Sequence, residues 1–416
     1  MNILVLNCGS SSLKFQIIET DSEKIKTNSD QELAKGVIEK VGTNEAIISI
    51  KAPGNENYKA VMPVLDHKIA LNRIIDWIKL PTTHINGIKR LQDFHAIGHR
   101  TVHGTEHFNS SVKITKEVIK ELEANIEIAP LHNPANLKGI EAAIEVFGED
   151  IPQVAIFDTA FHLTLPKHAF MYAIPLKYYN DYKIRKYGFH GTSHRYIAIR
   201  YRQLTNKTIE ETNIISLHLG NGASTTAIKN GKSIDTTMGF TPLEGLMMGT
   251  RSGDLDPTVI EFIMKKENLN ISEAITILNK KSGVLGISDI SNDMRDLFKA
   301  VNENNDEKAK LALEMYTYRN KKYIGAYLAA MNGADAICFT AGVGENAANI
   351  RRDICSGLES LGIEIDDELN NQMVGGKEGI ISKPTSKIKI CVIPTNEELM
   401  LARDTYCIVS GIDITE

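Results

Sequence analysis

Asn2-Ile-Leu-Val-Leu-Asn-Cys-Gly-Ser-Ser-Ser-Leu13 opens the chain, and Asn213-Ile-Ile-Ser-Leu-His-Leu-Gly-Asn-Gly-Ala-Ser224 repeats its pattern 211 residues later, sharing Asn, Ile, Leu and Gly in register. Residues 3–6 are a short apolar run. After the polar turn NCGSSS, Leu13, Phe15 and Ile17 alternate with Lys14 and Gln16 in the period of two expected of a strand. The unit reads as strand, tight polar turn, strand. Its recurrence at a distance far beyond the ~20–50 residues of a solenoid repeat predicts two similar lobes. Two Gly/Ser/Asn turns could then face each other across a cleft.

The remaining organisation agrees with two α/β lobes. Helical and strand patterns alternate throughout the 416 residues, a length sufficient for two or three cores. Gln153-Val-Ala-Ile-Phe157 reads as a buried strand with Asp158 at its carboxyl end, where open α/β sheets place ligands. The expected boundaries are 1–155 for an N-terminal lobe, 156–394 for a C-terminal lobe, and a C-terminal helix at 395–416 that docks back on the first lobe. In that helix Leu399, Ala402 and Tyr406 can share a face.

Composition excludes several classes of function. Hydrophobic residues make up 42% and charged residues 24%, as in globular proteins, and no segment approaches the ~20 apolar residues of a membrane span. The net charge of −5 is spread without a basic block, so neither nucleic acid nor an anionic membrane is an expected partner. Five cysteines, none spaced C-x-x-C, fit reduced thiols, and MNILVLN lacks the features of a signal peptide; a cytoplasmic location is expected.

Three glycine turns are candidate phosphate cradles. Asn7, Ser10, Ser11 and Ser12 surround Gly9, with Lys14 following; such small hydroxyls, amides and a lysine suit phosphate, although ordinary hairpins share the composition. Residues 218–224 form a second cradle. The third, FTAGVGENA, follows an apolar strand ending at Thr340 and is expected to open a helix with Ile350, Ile354, Leu358 and Leu361 on one face. It matches G-x-G-x-x-A at Gly342, Gly344 and Ala347, but only Glu364 and Asp366 stand where a ribose-binding acid would be, so a nucleotide is credible and NAD is not favoured. No P-loop occurs.

Charged and titratable residues cluster in loops. MGTRSGDLDP (248–257) has no periodicity; Arg251 offers a planar donor fork among small neighbours, and Arg100 in GHRTVHG has a similar setting. His99, His103 and His107 recur every four residues, as do His190 and His194, but Gly98 and Gly104 weigh against a helical metal face and no HExxH occurs, so hydrogen-bonding histidines are the better reading. His132 precedes Asn133-Pro134, a helix start at which an anion could bind, followed by Leu137, Ile140, Ile144 and Phe147 on one face. In Thr395-Asn-Glu-Glu the S/T-x-x-E spacing makes Thr395 an N-cap and Glu398 its capping-box partner. Glu397 is left available to a hard cation such as Mg²⁺.

NILVLNCGSSSLKF, GHRTVHG, LHNPANL, FDTAFH, YGFHGTSHRY, HLGNGAS, MGTRSGDLDP, AGVGEN and PTNEE occur in this order over nearly the whole chain. In these motifs the sequence resembles the acetate kinase family. The resemblance implies an acetate and sugar kinase/heat-shock ATPase/actin type fold: two duplicated, ribonuclease H-like α/β lobes with a nucleotide cleft between them. It implies Mg²⁺, for which Mn²⁺ could stand in, held by Asn7 and Glu397, with ATP and ADP as substrates and Lys14 near nucleotide phosphate. Arg100 and Arg251 would clamp the carboxyl and transferring phosphoryl groups, with His190 a further donor, Asp158 the catalytic acidic residue and His132 assisting. His218, Leu219, Gly220, Asn221 and Gly222, then Asp293, Met294 and Arg295, and Gly342, Val343, Gly344, Glu345 and Asn346 would contact nucleotide. Val102, Leu131, Phe189 and Pro242 would form an acetate pocket, and a homodimer is implied. Thr101 and Thr105 depart from the family pattern in loop detail only.

The activity implied is reversible transfer of the ATP γ-phosphoryl group to acetate, with propionate the alternative acceptor. An actin-type conformational ATPase would leave Arg100, His190 and Arg251 unexplained. An NAD-dependent oxidoreductase would rest on Gly342, Gly344 and Ala347 alone.

Overall fold

The computed structural model describes residues 1–129 and 133–413. The chain divides into two units, Met1–Ala160 with Asn396–Glu416, and Phe161–Thr395. The division falls at residue 160 rather than near 155, because the segment after the strand Gln153–Phe157 stays bound to the first sheet: the Asp158 N–H donates to the Thr101 carbonyl at 3.1 Å. Asp158 thus belongs to the first unit. The C-terminal segment of that unit begins at Asn396, one residue later than expected.

The first unit is built on an eight-stranded sheet. Its strands are β1 (Asn2–Cys8), β2 (Ser12–Glu19), β3 (Gln31–Glu39), β4 (Thr43–Lys51), β5 (Tyr58–Val64), β6 (Ala96–Thr101), β7 (Val112–Lys113) and β8 (Gln153–Phe157), in the order β5-β4-β3-β2-β1-β6-β8-β7. Strand β1 pairs antiparallel with β2 and parallel with β6, which pairs parallel with β8. Alternation along β1 sends Leu4 and Leu6 to one face, where they pack with Leu71 and Ile74 of the helix His67–Ile78 and with Ala143 of the helix Asn133–Phe147. Ile3 and Val5 go to the other, against Leu401 and Ala402 of the C-terminal helix Glu397–Ser410. That helix lies so close to β6 that a Cβ on Gly98 would stand 2.3 Å from Thr405 Oγ1 and 3.3 Å from the Leu401 carbonyl. Its buried Arg403 pairs with Asp30, and Asp404 accepts from Ser111 at 2.6 Å.

The second unit carries a six-stranded sheet of β9 (Ile214–Leu219), β10 (Ala223–Lys229), β11 (Lys232–Thr236), β12 (Ala336–Thr340), β13 (Gly379–Ile380) and β14 (Lys389–Val392), ordered β11-β10-β9-β12-β14-β13. Every residue of β9 and β12 is buried, as expected of central strands covered on both faces. The helix Gly191–Thr205 packs on β9, and the long helix Glu307–Met331 on β10.

The repeat seen in sequence is a repeat of topology. The order β3-β2-β1-β6-β8 in one unit matches β11-β10-β9-β12-β14 in the other, each with three antiparallel strands followed by two parallel additions. Both units are therefore lobes of the ribonuclease H-like, actin type.

Two local expectations are corrected. The turn at FTAGVGENA opens a short helix Ala341–Asn346, and a second helix Ala348–Cys355 follows a break at Ala347. Ile350, Ile354 and Leu358 are buried, but Leu361 is exposed on a separate 3₁₀ turn, because Gly357 at φ 76° redirects the chain. The N-cap of the C-terminal helix is Asn396, whose side chain accepts from the Leu399 N–H at 3.0 Å. Thr395 is engaged elsewhere, its hydroxyl with Ser193 and its N–H with Glu345, so Glu398 has no capping-box partner.

Candidate functional site

In the first unit the carboxyl ends of three adjacent parallel strands bring together Asn7 of β1, Arg100 of β6 and Asp158 immediately after β8. Open α/β sheets bind ligands at this edge. Asp158 is 2% exposed and takes the Arg100 fork side-on, with Nε at 3.2 and 3.1 Å from its two oxygens and Nη2 at 2.6 Å. Nη1 of Arg100 points instead to Asn7 Oδ1 at 3.4 Å. The Asp158 charge raises the Arg100 pKa against the cost of burial, and Glu397 and Glu398 add to it. Arg100 is thus a permanently charged donor whose orientation is set by a carboxylate behind it.

Glu397, in the first turn of the C-terminal helix, faces the same group. Burial pushes its carboxyl up to about 7; Arg100 opposes the rise, while Asp158 and Glu398 add to it. A carboxylate in this state gains from a cation, and together with the amide oxygen of Asn7 it offers hard oxygen donors. Mg²⁺ characteristically takes only one or two protein ligands, completing its shell with phosphate and water. Lys14 is exposed on β2, directly opposite Asn7 in the β1 to β2 register. Val102, just beyond β6, is 8% exposed, and its N–H is held by Asn136 Oδ1 at 3.1 Å. Leu131 and His132 lie outside the described residues.

In the second unit a corresponding edge gathers His190, His218, Arg251 and the turn 220–222. His218 stands at the penultimate position of β9, where Asn7 stands in β1 under the 211-residue repeat. His190 is in the left-handed region (φ 57°) as the N-cap of the helix Gly191–Thr205, and its ring stacks on His218 at 4.1 Å. A Cβ on Gly222 would lie 3.4 Å from Arg251 Nη1 and 3.5 Å from His190 Nε2, so the absent side chain leaves the two donors a common space.

The loop 237–256 separates its charges by role. Asp254 accepts from the Gly245 N–H and the Tyr323 hydroxyl, and Asp256 caps the helix Pro257–Glu267. Arg251 is left with no carboxylate partner among the described residues; it donates to the Pro242 carbonyl at 3.3 Å, and burial lowers its pKa. A half-buried guanidinium without an anion is prepared to receive one. Phe189 is 4% exposed.

The other expected nucleotide contacts divide. Gly342–Asn346 form the helix after β12, beside β9. Asp293 is the N-cap of the helix Met294–Asn304 and pairs with Arg295, which is 90% exposed. The side chains of Met294 and Leu219 are buried, leaving only their backbones for contact.

The comparisons with known proteins come down on one side. The family model described as the Acetokinase family matches residues 2–403. The chain belongs to the acetokinase family. An acetate kinase of Chloroherpeton thalassium is 54% identical over 411 residues, covering 98% of each chain, and one of Thermotoga maritima is 52% identical over 413 residues, covering 99% of this chain and 100% of the relative. The crystal structure of Porphyromonas gingivalis acetate kinase superposes with a TM-score of 0.92 at 46% identity, covering 98% of this chain and 99% of that one. A propionate kinase from Francisella tularensis gives 0.88 at 40%, covering 99% and 100%.

Sequence reasoning named His194 only as a hydrogen-bonding histidine and Ser224 only as part of a turn, and passed over Arg351. His194 and Ser224 stand directly behind His190, and buried Arg351 holds the Gly344 and Glu345 carbonyls at 2.9 Å, steadying the third glycine turn. The His190/His194 spacing was the available signal, but spacing alone does not say what lies between two rings.

Proposed function

We infer that this enzyme transfers the γ-phosphoryl group of ATP reversibly to acetate, giving acetyl phosphate and ADP by direct in-line transfer. The observation that carries the reading is Arg251, a half-buried guanidinium with no carboxylate partner among the described residues, in a chain that matches the acetokinase family over residues 2–403. An acetate oxygen forms a bond to the γ-phosphorus as the bond to the β-bridging oxygen breaks. Acetate is ionised at neutral pH, so no general base is required. The protein's task is to hold the reactants and to meet charge spreading over three equatorial oxygens.

Arg100, aimed by Asp158, receives the acceptor and the incoming phosphoryl group, while Arg251 and His190 donate to the phosphoryl oxygens. Asn7 and Glu397 hold Mg²⁺, which when bound neutralises polyphosphate charge. Lys14 adds a cation near the phosphates, and the turns 218–222 and 342–346, with the backbone of 293–295, hold the nucleotide. Val102, Phe189 and Pro242 supply apolar surface for the acetate methyl.

A homodimer in the cytoplasm completes the proposal. Leu311, Met315 and Tyr318 are 49%, 39% and 64% exposed along one helix of the second unit, the kind of apolar stripe that a second copy covers. The described cysteines form no disulfide, and no helix of the described residues is long and apolar enough to cross a membrane. The test is to supply ATP, Mg²⁺ and formate, acetate, propionate or butyrate, and to trap the acyl phosphate as hydroxamate. Acetate should give the highest kcat/KM; a preference for propionate would reassign the acceptor, and no trapped product would overturn the reading.

A further inference from the structure

Behind His190 lies a string of buried polar side chains. His190 Nδ1 is 2.9 Å from Ser224 Oγ, which is 2.7 Å from His194 Nε2, and His194 Nδ1 is 2.9 Å from Ser216 Oγ. Ser216, Ser224 and His194 are all 0% exposed. Burial holds the His194 pKa well below its ordinary value, so this ring is neutral and carries one proton.

With His194 neutral and His190 taken as the neutral ring, the single hydroxyl protons leave two directions for the string. In one, Ser216 donates to His194 Nδ1, His194 Nε2–H donates to Ser224, and Ser224 donates to His190 Nδ1. In the other, every bond reverses and the Ser216 proton needs a new acceptor. Among the described residues Ser216 Oγ has no partner except His194, so reversal would strand a buried donor. The first direction leaves Ser216, His194 and Ser224 each with a partner for its proton. It ends with a lone pair on His190 Nδ1, and so with the ring proton on Nε2, the nitrogen beside Gly222 and Arg251.

We propose that Ser216, His194 and Ser224 form a one-way hydrogen-bond relay that keeps the His190 proton on Nε2, which makes His194 and Ser224 positioning residues for phosphoryl transfer. The two neighbouring histidines fix the ring's place. His162 Nε2 lies 2.9 Å from the Phe189 carbonyl, which only accepts, so this nitrogen carries the His162 proton and pins the backbone just before His190. His218, stacked on His190, has its Nδ1 2.8 Å from Ser193 Oγ, whose other partner is Thr395. The ring plane is thus set by stacking and its tautomer by the relay. A donor already in the correct tautomer loses no time or energy to proton rearrangement as charge develops on the phosphoryl oxygens.

The proposal rests on the reading of His190 as a donor in the transfer, and the two can be tested apart. Long-range ¹H–¹⁵N spectra of the histidine-labelled full chain, with His190 assigned through His190→Gln, report the tautomer without reference to activity. The wild type should show an unprotonated Nδ1 and a protonated Nε2 at His190. Ser224→Ala removes one oxygen and should mix the tautomers, lowering kcat by about tenfold, the scale of one hydrogen bond, with KM for ATP and acetate little changed. His194→Gln, whose amide nitrogen falls near the imidazole Nε2, should restore the Nε2 tautomer, whereas His194→Asn should not reach Ser224. A His190 proton on Nδ1 in the wild type, or an unchanged tautomer in Ser224→Ala, overturns the relay. Full turnover in His190→Ala overturns the donor reading instead, leaving the relay to the spectra.

Discussion

Replacing Asp158 by Asn tests whether this carboxylate acts by holding Arg100 or by doing chemistry of its own. The substitution changes one atom, but the Arg100 fork presents N–H groups to both Asp158 oxygens, at 3.2, 3.1 and 2.6 Å. An amide can accept from one side only, and its NH₂ would meet a guanidinium N–H head-on. Breaking a buried pair from one side costs ~3–5 kcal/mol. The low end, about 3 kcal/mol, applies here because the Arg100 side chain is 26% exposed and Glu397 remains beside it. Trp77, the single tryptophan, is 4% exposed in the first unit's core, so its fluorescence in a urea titration reads the unit that contains Asp158. Turnover should fall ~10²-fold, the usual consequence of displacing a positioned group by about 1 Å. Removing the Asp158 charge should also lower the Glu397 pKa from about 7, since that charge helps to raise it. A variant that loses turnover while its stability, its Arg100 position and its Glu397 titration all stay at wild type would refute the positioning argument.

Three further outcomes follow from the structure. Asn396→Ala should lower stability by ~1 kcal/mol through the lost N-cap, whereas Glu398→Ala should leave the urea midpoint nearly unchanged. Burial holds His99 and His162 at about 4 and His194 well below its ordinary value, so between pH 6.5 and 4 the unfolded chain takes up protons that the folded chain refuses. Stability is then fully present above pH 6.5 and falls on acidification by ~1.4 kcal/mol per pH unit for each such histidine, so a flat urea midpoint between pH 7.5 and 5 would contradict their burial as neutral rings. Val102→Ala should narrow the acetate to propionate ratio of kcat/KM, which one methylene sets at about tenfold to a few hundredfold; an unchanged ratio would return Val102 to the core.

The chain's local order was legible because it is written at short range. Alternation along residues 2–19 shows which side chains of β1 and β2 share a face, and the 211-residue echo anticipated a second copy of the same hairpin. Asn7, Arg100 and Arg251 stood out because glycines and small residues surround them, and His190 because of its spacing from His194. What a short spacing leaves degenerate, only the folded chain resolved. Thr395 and Asn396 both fit a cap, and the choice fell to Asn396 because Ser193 and Glu345, hundreds and tens of residues away, take Thr395. Asp254, Asp256 and Arg251 share one loop, yet the aspartates are consumed by Gly245, Tyr323 and a helix start while the arginine has no carboxylate partner among the described residues. The parallel pairing of β1 with β6, which sets Arg100 beside Asn7, joins segments more than 90 residues apart. The approach of Asp158 to Arg100 is also non-local, across 58 residues. Propensity and capping depend on neighbours three or four residues away; the direction of a guanidinium or the tautomer of a histidine depends on whichever polar atoms the tertiary fold brings within 3 Å.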